Sequence, residues 1–202
     1  MELKRSAKAI GKYEAPLINR ICSYFASDGF RVFPHIRLNV AWSASLSDVD
    51  ALLIKNETIV AIEVKSSQDK FSRAHYQLKA IADYVDYAYV ATDRLPRNLF
   101  EGSIGLLQIA GDTVKIIKLA EPLEGKPTVQ SLMALPRKCL LNVLDIYGQK
   151  GLLKYELAHM MRDSFDDGFL RLCAKEVAFC QECTLTRCPA MLLRKNYAIC
   201  SN

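Results

Sequence analysis

No run of apolar residues in this 202-residue sequence approaches the roughly 20 needed to cross a bilayer, so no membrane-spanning helix is expected. The opening stretch MELKRSAKAIGKYEAP carries charge with no apolar segment behind it. The expectation is therefore no secretory signal and a cytoplasmic protein. There is no internal repeat and no low-complexity tract, which leaves an ordinary globular chain. Neither charge sign dominates: a net +5 permits an anionic partner without requiring one. Histidine is scarce, and His35, His75 and His159 stand isolated, each read as structural. The length suffices for one well-cored domain, or one domain with a small appendage.

Cysteine, by contrast, is concentrated. Of seven, Cys22 and Cys139 are scattered, while Cys173, Cys180, Cys183, Cys188 and Cys200 crowd the end of the chain. In a reducing compartment this clustering suggests metal ligation rather than a disulfide framework. The core of the pattern is Cys180-x2-Cys183-x4-Cys188, with Cys173 upstream and Cys200 downstream. No histidine lies among them, so the ligand set would be all thiolate. Such sites suit a [4Fe-4S] cluster or, as the alternative, structural Zn²⁺. Buried free thiols on a helix are the plain alternative.

Apolar residues at Ile10, Leu17, Ile21 and Phe25 recur on one helical face, closed by Gly29. Residues 30–40 read as a strand, 49–54 and 59–65 as a hairpin, 72–84 as a helix and 87–92 as a further strand. A second hairpin turns at Gly111-Asp112. The Pro- and Gly-bearing EPLEGKPTVQS marks a linker, and the pattern beyond it is helical. The expected class is α/β: a restriction-endonuclease-like αβββαβ core with a mixed sheet over residues 1–122, a linker over 123–131, and a helical, cysteine-rich extension over 132–202. Within the extension, LLKYELAHMMRD has a helix-turn-helix flavour, but no basic recognition helix follows, so plain packing is the better reading. Trp42, before the first hairpin, could stack on a base or cap a core.

The first hairpin, SDVDALLIKNETIVAIEVKSS, carries charges where aliphatics should continue. Counting outward from a turn at Asn56-Glu57 pairs Ile54 with Ile59, Asp50 with Glu63 and Asp48 with Lys65. Opposed residues share a face, so Asp50, Glu63 and Lys65 should cluster. Two adjacent carboxylates repel unless a cation joins them, and hard oxygens so placed suit Mg²⁺. A cross-strand salt bridge at a sheet edge is the commoner meaning of such a pattern. Glu14, on the apolar stripe of the first helix, needs a partner if it points inward or a route to water if it does not. Gln77, spaced three from Ala74 and four from Ile81, lies on the inner half of the second helix.

Together these residues resemble the PD-(D/E)XK nuclease superfamily over roughly residues 8–120, most closely its small repair-associated MmcB-like members and less closely the Holliday-junction resolvases. The matching positions are Glu14 on the first helix, Asp50 opening a strand, Glu63-x-Lys65 on the next, and Gln77 on the following helix. Two positions depart from the pattern. Val49 stands where the family's proline usually precedes the Asp, and Ile81 stands where RecB-like members place a tyrosine. The resemblance implies Mg²⁺- or Mn²⁺-dependent hydrolysis of DNA phosphodiesters, in repair, recombination or defence. Asp50, Glu63 and the carbonyl of Val64 would hold the metal, Lys65 would position or activate water, and Glu14 would support the metal shell. The cysteine triplet is similar to that of RecB-like CRISPR and AddB-type nucleases, which carry a [4Fe-4S] cluster with a distant fourth ligand; here Cys22, Cys173 or Cys200 would fill that place. Expected partners are DNA and either a second copy or a larger repair or defence complex. A non-catalytic or partner-dependent nucleic-acid-binding module, with a structural or redox-sensing metal cluster, is the competing class.

Overall fold

A computed structural model describes residues 13–38, 47–56, 58–96, 102–135, 137–146 and 151–180. Helix α1 (Glu14–Ser27) is followed by strands β1 (Arg31–Leu38), β2 (Ser47–Lys55) and β3 (Thr58–Lys65). Helix α2 (Phe71–Ala80), a 3-10 turn at Ala82–Tyr84 and β4 (Tyr87–Thr92) complete the expected α-β-β-β-α-β order. A hairpin of β5 (Gly105–Ala110) and β6 (Thr113–Lys118) extends the sheet. Helices α3 (Val129–Leu132), α4 (Arg137–Val143), α5 (Lys154–Ser164) and α6 (Asp167–Cys180) form the helical extension. The chain is thus α/β with a six-stranded mixed sheet.

Spatial order follows chain order, β1 to β6. The β1–β2, β2–β3 and β5–β6 pairs are antiparallel, whereas β3–β4 and β4–β5 are parallel. The crossover between β3 and β4 requires a covering helix, and α2 supplies it. Two-residue turns close both hairpins, and each needs a left-handed residue, met by Asn56 (φ 55°) and Gly111 (φ 59°). The β2–β3 register is the one counted from the sequence: Ile54 pairs with Ile59 and Lys55 with Thr58.

Helix α1 ends in a Schellman motif. Gly29 (φ 82°) donates to Ala26 O at 3.1 Å, and Phe30 N donates to Phe25 O at 3.0 Å. That termination sets the direction in which the chain enters β1.

The sheet is covered on both faces, which is why β3 is buried along its length after Thr58. On one face Leu17, Ile18 and Ile21 of α1 pack on Ala51, Leu53, Ile62, Val64 and Leu107. On the other, Ala74 and Leu78 of α2, with Ile81 and Tyr84, pack on Leu52, Ile54, Ala61, Val90 and Leu106. Helices α3–α6 enclose a further cluster around Leu132, Leu140, Leu157, Met161 and Leu170.

The 123–131 segment is docked along the body of the protein. Leu123 N donates to Asp86 O at 2.8 Å, and Asp83 Oδ2 accepts from Thr128 N, Thr128 Oγ1 and Ser131 Oγ at 2.9, 3.1 and 2.6 Å. Helix α6 is fixed to the sheet by Lys175, whose Nζ lies 2.7 and 2.8 Å from the two Asp86 oxygens. Arg171 adds a bond to Val85 O at 2.8 Å. No helix of the described residues is long and apolar enough to cross a membrane.

Candidate functional site

The odd charges of the first hairpin sit at the carboxyl end of β3. Side chains alternate along a strand, so Glu63 and Lys65 share the face of Ile59 and Ala61, which α2 covers. Both are buried, with 2% and 5% of their surface exposed. Lys65 Nζ lies 2.5 Å from Glu63 Oε1. Burial this complete makes the pair costly unless charge and hydrogen bonds are matched, so it is not a surface salt bridge of small consequence.

The β2–β3 ladder runs as far as Ala51–Ile62. One step further Asp50 falls level with Glu63, as the count from the turn requires. There the half-buried Asp50 side chain takes the next bond: its Oδ2 accepts from Val64 N at 2.8 Å. The strands part at this point, and the carboxylate fills the ladder position that a backbone carbonyl would have held. Asp48 pairs in register with Arg37 of β1. The β1–β2 ladder omits a pairing between His35 and Asp50, and His35 has a φ of 52°. A non-glycine residue in that region carries strain of about 1–3 kcal/mol, placed here directly across from Asp50.

Glu14 opens α1 and is half-buried. Its carboxyl reaches Asp69, in the turn after β3, which brings the start of α1 to the end of β3. Asp69 was not among the residues singled out from sequence. Burial pushes its carboxyl up, but the side-chain and backbone hydrogen bonds from Ser66, the Lys65 ammonium and Glu14 outweigh this and hold it below the ordinary value. The signal available for it was the short Ser-x-x-Asp spacing, which favours a side-chain-closed turn before a helix.

Gln77 lies on α2, the helix over the face that carries Glu63 and Lys65. Its Oε1 is buried with no hydrogen-bond partner among the described residues. An orphaned buried acceptor costs about 1–3 kcal/mol, so this atom is an exception that function can account for.

Cys173 is buried within the α3–α6 cluster, and Cys22 is half-buried against the α1 face of the sheet. The α6 contacts run to the opposite face, through Ala174, so Cys22 and Cys173 serve different layers. Burial pushes the Cys22 thiol up from its ordinary value, which disfavours the thiolate a metal needs. The side chain of Cys180, and all of Cys183, Cys188 and Cys200, lie outside the described residues, as does Trp42. Among the described residues no three His, Cys, Asp or Glu side chains converge as a group able to hold a metal ion.

No family model and no curated protein matches the chain. A solved structure, the SPO1766 protein of unknown function from Silicibacter pomeroyi, matches at 19% identity with a TM-score of 0.44. The match covers 69% of this chain and 97% of that one, and at this score it carries no argument.

Proposed function

We propose that the chain is a Mg²⁺- or Mn²⁺-dependent deoxyribonuclease of PD-(D/E)XK type. The observation that carries this reading is the buried Glu63–Lys65 pair, level with Asp50, where β2 and β3 part. The donors fit the ion: two carboxylates and the Val64 carbonyl are hard oxygen ligands, and Mg²⁺ commonly takes one or two carboxylates and retains several waters. The pinning of Asp50 by Val64 N–H fixes one ligand before any ion arrives. A divalent ion bound there supplies Lewis-acid polarisation of the phosphate and an activated water.

The chain's own groups do the rest. Lys65 presents a positive charge to an anionic phosphodiester and orients the attacking water. Gln77 offers a buried amide with an unused acceptor on the same layer. Asp69, held below the ordinary carboxylate value, adds negative charge at the rim, which favours cation capture over anion binding until the ion is in place. In the same proposal the cysteine run from Cys173 to Cys200 holds a [4Fe-4S] cluster, with Zn²⁺ as the other thiolate-compatible occupant.

The test is cleavage of linear, single-stranded and branched DNA by the full chain with Mg²⁺ or Mn²⁺. Cleavage is expected from the wild type and its loss from Glu63→Ala, with folding of the variant checked by circular dichroism. Cleavage surviving Glu63→Ala, or no cleavage of any substrate by the folded wild type, overturns the assignment.

A further inference from the structure

Lys65 and the proposed metal draw on the same carboxylate. With the ammonium 2.5 Å from Glu63 Oε1, Glu63 cannot serve a divalent cation without bringing two positive charges together in a buried place. For the metal to take Glu63, the ammonium needs another anionic seat.

The turn after β3 supplies one. Asp69 Oδ2 accepts from Ser66 N at 2.8 Å and from Ser66 Oγ at 2.5 Å, while Asp69 N donates to Ser66 O at 3.0 Å. Two of these bonds tie the Asp69 carboxylate, and the third its backbone N–H, to the residue that immediately follows Lys65. The Asp69 carboxylate is thereby held by the backbone N–H next after Lys65, within reach of a lysine side chain, and the Lys65 ammonium is among the charges that lower its carboxyl. Asp69 is only partly buried, so an ammonium drawn towards it leaves the deepest part of the site.

We infer that Asp69 is a positioning residue that receives the Lys65 ammonium when a divalent cation occupies Glu63. This rests on the metal site proposed above. Asp69 takes no part in holding the ion; it relieves the competition for Glu63 and leaves Lys65 aimed at the phosphate.

The experiment is a double-mutant cycle on Mn²⁺ affinity, read by electron paramagnetic resonance on the full chain without DNA. Its members are the wild type, Asp69→Asn, Lys65→Met and the double variant. Asparagine keeps an acceptor for the Ser66 bonds, so the turn survives, and Asp69→Glu should restore wild-type affinity. Asp69→Asn is expected to weaken Mn²⁺ about tenfold in the wild type and less than about twofold in the Lys65→Met background, a coupling of the size seen between residues of one network. Equal weakening in both backgrounds would show that Asp69 acts on the ion directly, and would overturn the inference while leaving the metal site standing. An unchanged affinity in Asp69→Asn overturns it as well. Absence of Mn²⁺ binding, or binding that persists in Glu63→Gln, overturns the metal site and this inference with it. Should Lys65→Met not fold, Lys65→Gln takes its place in the cycle.

Discussion

Replacing Lys65 with methionine keeps the aliphatic stem and removes the charge. It leaves Glu63, with 2% of its surface exposed, deprived of that ammonium and level with Asp50. Removing one partner of a buried pair leaves the other charge uncompensated, which costs about 3–5 kcal/mol, so a loss of about 3 kcal/mol or more is expected at pH 7. Urea denaturation at pH 7, followed by circular dichroism, reads the difference directly. Saturating Mn²⁺ should recover most of the loss at pH 7, since an ion that binds only the folded chain stabilises it by mass action. A loss below about 1 kcal/mol at pH 7, the ordinary range of an exposed pair, would refute the burial argument.

Two further perturbations test the frame around the site. A Cβ at Gly105 would lie 2.3 Å from the Tyr89 ring and 2.7 Å from Ala120 N, and neither neighbour is free to yield. Gly105→Ala should therefore cost about 1–3 kcal/mol in a thermal melt, and an unchanged midpoint would show that β5 has slack this packing denies. Asp86→Ala removes the acceptor of Ile59 N at 2.8 Å together with the carboxylate of Lys175, while Asp86→Asn retains an acceptor. The alanine form should lose about 3 kcal/mol and the asparagine form distinctly less, and equal losses would refute a separate role for the Ile59 bond.

The β2–β3 register was legible because a two-residue turn fixes it: Asn56 marked the turn, and pairing follows by counting. The clustering of Glu63 and Lys65 on one face followed from strand alternation alone. The depth of their burial did not, since an edge strand and a central strand share the same local pattern. It took the docking of β4 in parallel, across the α2 crossover, to make β3 central. Helix α2 was read through to Tyr84, yet it stops at Ala80 and tightens into a 3-10 turn. Ile81, Tyr84 and Val85 are all buried and spaced i, i+3 and i+4, so a continued helix would have kept them on one face, and the apolar period therefore gave no sign of the stop. Asp69 was missed because its value lies in Ser66 and Lys65 rather than in any apolar period. The Lys175–Asp86 bond joins residues 89 positions apart, and no local signal carries it.

The strand order of the sheet has a consequence for how the molecule is made. Because β1 to β6 lie side by side in the order in which they are synthesised, no strand has to be inserted between two already paired. Each new strand finds its template in the one just before it, and the longer separations are the eight residues between β1 and β2, the α2 crossover and the loop before β5. Loop-closure entropy is thus met in small instalments. The sheet can be laid down progressively as the chain leaves the ribosome, with the carboxyl end of β3 shaped before the cysteine-rich tail exists.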